Sequence, residues 1–233
     1  MRKQRYAASC AAFLLCVVAC GTTPLMAQRY TEFAPLPDVA PIGAAWPTPN
    51  QNLFDAPDRF FAHTRVNPDY GRPGWTRNCG ARFHRGCDIA PVQPIPTGQT
   101  AVVEFTNCET GEEYPSEEPV FLGNDPIFNV YAGVVEEAIA NPRISDLGSH
   151  VVMRHRWPDG ATFYTLYAHL SEIAVSKGQR LTAGERIGTM GDTSRSEGAR
   201  IWLSIAPHLH FEVWNHEGQP LDPVAFLETH LAR

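Results

Sequence analysis

No Cys-x-x-Cys pair occurs in the 233 residues, which argues against a zinc site built from thiolates. Excess positive charge is missing too. The formal charge is −6 and the isoelectric point about 5.8, so nucleic acid or an anionic membrane surface is not the expected partner. No sequence period of solenoid length is present. After the first 20 residues no apolar run is long enough to span a bilayer. What is left, with 43% hydrophobic residues, suits one globular domain plus extra segments, expected as a monomer.

The first residues read as an export signal. Met1-Arg2-Lys3-Gln4-Arg5 is basic, and Ala7 to Cys20 is apolar but too short for a transmembrane helix. Two cleavage sites compete. Val17-Val18-Ala19-Cys20 resembles a lipobox and would leave Cys20 as a lipidated membrane attachment. Thr23-Pro24-Leu25-Met26-Ala27 before Gln28 resembles an ordinary signal-peptidase site, which makes residues 1–27 the signal peptide. Either route takes the mature chain to the periplasm or cell envelope. Of six cysteines, Cys10, Cys16 and Cys20 lie in this region. Cys79, Cys87 and Cys108 then meet an oxidising compartment, where at most one internal bridge forms among three. Cys79 with Cys108 is the expected pair and Cys87 a buried thiol; the alternative, all three reduced, stays open.

Residues 28–59 are rich in proline (Pro35, Pro37, Pro41, Pro47, Pro49) and lack periodicity, which predicts an extended arm. Trp46 and Phe54 suggest that parts of it dock on the domain, which takes up residues 60–233. There the pattern is β. Val151–Trp157 and Ala161–Tyr167, joined by Pro158-Asp159-Gly160, predict a hairpin. Gly178 and Gly184 mark further turns, and Pro223 to Leu227 predicts a short terminal helix. Residues 92–127 carry prolines and several glutamates and read as an inserted loop, either a wall beside a site or a solvated surface segment.

Chemistry concentrates in three stretches: His84-Arg85-Gly86-Cys87-Asp88, Tyr167-Ala168-His169-Leu170 and His208-Leu209-His210-Phe211-Glu212. On an extended strand, residues two or four apart face the same way, so His84 can share a point with Asp88, and His208 with His210. In the third stretch, Leu209, Phe211 and Val213 alternate with His208, His210, Glu212 and Trp214, giving one apolar and one polar face. Four imidazoles and a carboxylate exceed the needs of a structural zinc site. They match a hydrolytic one, which keeps an open position for water and needs groups that move protons. Glu212 shares the polar face as a partner for a ligand histidine or as a solvent-facing charge. His155 is expected to make a structural hydrogen bond. His63, His150, His216 and His230 are read as ordinary surface or core histidines.

These stretches resemble the HxxxD, catalytic-histidine and HxH motifs of the M23 metallopeptidases of the lysostaphin or LytM type. The resemblance extends from about Asn67 to Leu227, apart from the insertion. It includes Asp69-Tyr70-Gly71-Arg72, Val130–Val135, Gly178–Gly188 and Met190-Gly191-Asp192-Thr193. It implies a mainly β fold, an antiparallel LytM/M23 domain of the duplicated-hybrid-motif kind behind the proline-rich arm. It implies one zinc ion per chain, held by His84, Asp88 and His210, with His169 and His208 as general base, general acid or oxyanion support. Arg72 and Tyr167 would contact substrate or pack. Cysteine at position 87 and the insertion depart from the family pattern. The implied function is exported zinc metalloendopeptidase action on peptide bonds of bacterial peptidoglycan. Two alternatives stand beside it: a non-catalytic module that binds wall peptides or activates an amidase, and a protease acting on a protein substrate.

Overall fold

The structure is a computed structural model that describes residues 30–63, 67–141, 145–194 and 207–232. The export signal and its three cysteines lie outside these residues. Among the described residues no helix is long and apolar enough to cross a membrane.

In chain order the elements are α1 (Pro57–Phe60), β1 (Gly74–Arg77), β2 (Arg82–His84), β3 (Cys87–Ile89), β4 (Ile95–Thr106), β5 (Glu113–Leu122), β6 (Pro126–Phe128), β7 (Gly133–Ile139) and β8 (His150–Arg156). They continue with β9 (Thr162–Ala168), β10 (Leu170–Ile173), β11 (Arg180–Leu181), β12 (Arg186–Met190), β13 (Leu209–Asn215), β14 (Pro220–Leu221) and α2 (Pro223–His230). The fold is thus mainly β, and every pairing between these strands is antiparallel.

The principal sheet runs β11-β7-β8-β9-β13-β14, with β3 pairing to β13 beside β14. Its centre is the hairpin β8–β9, in register from Val151 opposite Tyr167 to Arg156 opposite Thr162. Val151, Met153, Phe163, Tyr167, Phe211 and Val213 point to one face and are wholly buried. A smaller sheet, β10-β12-β6, brings Leu170, Ile187, Met190 and Ile127 into the same core. The α2 helix adds Phe226 and Leu227. Its start is capped by Asp222, whose carboxylate accepts from Val224 N and Ala225 N, and it runs three residues past the predicted end.

From residue 30 the arm packs on the domain. Ala34 bridges Leu221 and Ala44 bridges Leu231, both in parallel pairing, and Ala44 and Leu53 are part of the core. Extended backbone suits this task, because a proline-rich strip without partners of its own can borrow hydrogen bonds from sheet and helix ends.

The insertion is not a loop. It forms a two-stranded ribbon, β4 against β5, paired from Ile95–Leu122 to Thr106–Glu113. Prolines 96, 115 and 119 sit within it, tolerated because each strand has an outer edge that needs no ladder partner. At its tip Cys108 is disulfide-bonded to Cys79 in the β1–β2 turn, and Cys87 is free and buried.

Candidate metal centre

The polar face of β13 carries His210, Glu212 and Trp214. It is the face opposite the core, as the alternation predicts, and all three are buried there by neighbours rather than by the core. Ala168, directly opposite His210 on β9, leaves room for the imidazole. Asp88 on β3 is the other neighbour of His210. Backbone bonds hold β3 in place: Asp88 N donates to Gly71 O at 2.8 Å and Ala62 N to Asp88 O at 2.8 Å.

His84 arrives differently from the expectation. A continuous strand would separate His84 from Asp88 by about 13 Å, too far to share an ion. The chain instead ends β2 at His84, bends at Arg85–Gly86 and starts β3 at Cys87. Only glycine fits at position 86, since a Cβ there would lie 2.7 Å from His210 Cε1 and 2.7 Å from Phe211 O.

Three donor atoms then converge. His84 Nε2 is 3.2 Å from His210 Nδ1 and 3.3 Å from Asp88 Oδ1, and His210 Nδ1 is 2.9 Å from Asp88 Oδ1. Ligands about 2.0–2.1 Å from a tetrahedral zinc are roughly 3.3 Å apart, so this triangle fits three of its four positions. The donor set, two imidazoles and a carboxylate, is the kind zinc takes in catalytic sites.

Neighbouring groups fix which nitrogen of each ring faces the centre. His84 Nδ1 donates to Arg72 O at 2.8 Å, turning Nε2 inward. His210 Nε2 donates to Glu212 Oε1 at 2.7 Å, turning Nδ1 inward, while Glu212 Oε2 accepts from Trp214 Nε1 at 2.6 Å. Glu212 is therefore a partner of the site and not a solvent-facing charge. Burial raises its carboxyl pKa, but Arg85 at 3.5 Å and the His210 hydrogen bond outweigh it and hold the pKa at about 2. Burial lowers the His210 pKa, yet Asp88 and Glu212 together raise it to about 9. For His84 burial wins, lowering it to about 4 with help from the Arg77 cation. Asp88, although buried, is held well below the usual carboxylate range by Arg77 and the surrounding imidazoles.

His169 and His208 stand beside this triangle. Their rings are 4.8 Å apart, His169 is 5.7 Å from the His210 ring, and His208 Nε2 is 3.6 Å from Asp88 Oδ2. Strict strand alternation would turn His169 the same way as Tyr167, into the core. It does not, because His169 leaves β9 with φ +63, a left-handed conformation uncommon for residues other than glycine. Its Nδ1 lies 2.8 Å from Thr193 O, and burial lowers its pKa well below the ordinary value.

Of the two readings open for Tyr167 and Arg72, packing is the one the geometry favours. Tyr167 pairs with Phe211 on the core face, is 0% exposed, and its hydroxyl lies 3.0 Å from Val130 N and 3.1 Å from Thr165 Oγ1. The Arg72 side chain turns away from the centre, over the Phe61 ring at 4.5 Å and to Asp69 at 3.0 Å; only its carbonyl serves the site. His155 takes a structural role, with ring nitrogens 3.1 Å from Ala132 O and 2.8 Å from Thr165 Oγ1. One site residue had no signal in the sequence. Arg77, on β1, places Nη2 against Asp88 Oδ2 and 3.0 Å from His84 Nε2.

The centre opens into a groove of about 830 Å³. Its outer lining includes Trp75, Phe83, Asp146 and Leu147, and from the arm Tyr30 and Thr31.

Residues 121–223 match the family model Peptidase family M23. This segment is thus similar to family M23. The match begins at the far end of the β4–β5 ribbon and contains His169, His208 and His210; His84 and Asp88 precede the ribbon, which separates the two halves of the centre in sequence. Among relatives, the chain is 39% identical over 88 residues to the peptidoglycan DD-endopeptidase ShyA of Vibrio cholerae, covering 38% of this chain and 17% of that protein. It is 37% identical over 87 residues to ShyC of the same organism, covering 37% and 17%. The chain thus spans about a sixth of the length of these relatives. Among solved structures, the catalytic domain of lysostaphin from Staphylococcus simulans is 26% identical, over 61% of this chain and 92% of that one, with a TM-score of 0.36.

Proposed function

We propose that the chain is an M23-type zinc metalloendopeptidase that hydrolyses peptide bonds in bacterial peptidoglycan, acting in the cell envelope after export. The observation that carries this reading is the triangle of His84 Nε2, Asp88 Oδ1 and His210 Nδ1, whose edges suit tetrahedral zinc with one corner open. Bound there, zinc supplies a water of lowered pKa and polarises the scissile carbonyl.

The chain's own groups supply the rest. His169 is neutral at pH 7, and Nδ1–H donation to Thr193 O leaves Nε2 as its basic nitrogen. That nitrogen takes the proton of the attacking water and returns it to the leaving amine. His208, beside it, provides an N–H toward the oxyanion that develops at the carbonyl. Glu212 and the Arg72 carbonyl orient the two ligand rings. The similarity to two peptidoglycan DD-endopeptidases supports the wall peptide as substrate. The intact donor set argues against a non-catalytic module.

The test is zinc analysis of the purified mature protein together with release of fragments from purified wall sacculi. One zinc per chain is expected, with fragments released, and His210→Ala should abolish both. Undiminished release by that variant would refute the assignment.

A further inference from the structure

Arg77 is 4% exposed and lies against the converging donors. Its Nη2 bonds Asp88 Oδ2 and donates to His84 Nε2, and its guanidinium covers the Tyr70 ring at 3.7 Å. Its Nε is buried with no hydrogen-bond partner among the described residues. His84 Nδ1 is committed to the Arg72 carbonyl, so its ring has one inward lone pair, on Nε2. That lone pair can accept the Arg77 N–H or coordinate a metal, not both.

The arginine is held there by its turn. After Arg77, residues Asn78, Cys79 and Gly80 have φ of 50, 55 and 82. Consecutive left-handed residues other than glycine are disfavoured and persist only when the surroundings impose them. The bond from Cys79 to Cys108 anchors this turn to the tip of the β4–β5 ribbon.

We propose that Arg77 is an internal latch that competes with the metal for His84 and Asp88, and that the Cys79–Cys108 bridge holds the latch closed. The ribbon is then part of the device, since it carries the far cysteine. The inference rests on the zinc reading above, and the two can fail separately.

The experiment measures zinc affinity of the full mature chain by competition with a chromophoric chelator. Arg77→Met keeps the aliphatic stem and removes the charge and donors. It should bind zinc about tenfold tighter or more. Replacing both cysteines by serine should tighten binding in the parent and add nothing further in Arg77→Met. Equal or weaker binding by folded Arg77→Met overturns the latch but leaves the zinc reading intact; no zinc binding by either protein overturns both. Equal tightening by the serine pair in both backgrounds removes the bridge from the proposal. Should Arg77→Met fail to fold, modification of the parent by phenylglyoxal, located by mass spectrometry, reads the same equilibrium. Arg77 should be protected without zinc and labelled with it, and protection unchanged by zinc refutes the latch.

Discussion

Replacing Glu212 with glutamine removes one charge and adds almost no volume, yet it should loosen the metal centre. The carboxylate accepts two buried N–H groups, from His210 Nε2 at 2.7 Å and from Trp214 Nε1 at 2.6 Å. A carboxamide has a single oxygen, so its NH₂ must face one of these donors. If it faces Trp214, a buried indole N–H loses its acceptor, which costs about 1–3 kcal/mol of stability. If it faces His210, the ring reverses its tautomer and puts a proton on Nδ1, the nitrogen proposed to hold the metal. In either case His210 also loses a charged partner. Removing an oriented partner of a metal-bound histidine typically weakens metal binding about 10–100-fold, or about 1.4–2.7 kcal/mol. Arg85, 3.5 Å away, keeps only its contact over the Trp214 ring. Chelator competition gives the zinc affinity, and urea unfolding of the metal-free protein gives the stability. Parental zinc affinity in folded Glu212→Gln would refute the claim that this carboxylate sets the His210 tautomer.

Further outcomes follow from the same geometry. His169→Ala removes the proposed proton carrier but no donor of the triangle, so zinc should stay bound while turnover on wall fragments falls by about 10² or more; loss of zinc in that variant would make His169 a ligand. His155, buried far from the centre, has its pKa lowered to about 4 from an ordinary 6.5. The unfolded chain therefore binds the extra proton as pH falls below 6.5. Stability from this group is complete above that pH and is lost on going down toward pH 4, by about 2 kcal/mol between pH 7.5 and 5. Urea midpoints for parent and His155→Gln should show this difference in slope over that interval, and parallel slopes would refute it.

The polar and apolar sides of β13 were legible in residues 208–214 because a strand's period of two is local and needs no knowledge of the rest of the chain. The β8–β9 hairpin was legible for the same reason, with its proline-glycine turn as punctuation. The 92–127 segment reads as a loop because its prolines and glutamates look like turn and surface signals; a ribbon with two outer edges accommodates both. Glu212 was ambiguous in sequence because both of its readings put it on the polar face. Only burial beside His210 and Trp214 distinguishes them.

The sequence alone settled which residues have donors to offer and which face of β13 carries them. The tertiary structure decided the rest: the bend at Arg85–Gly86 that brings His84 to Asp88, the left-handed His169 that escapes the core, the pairing that buries Tyr167, and the guanidinium of Arg77 among the candidate ligands. Each depends on a backbone dihedral or a partner from a distant segment. Such choices come from packing across the sheet, and no local spacing encodes them.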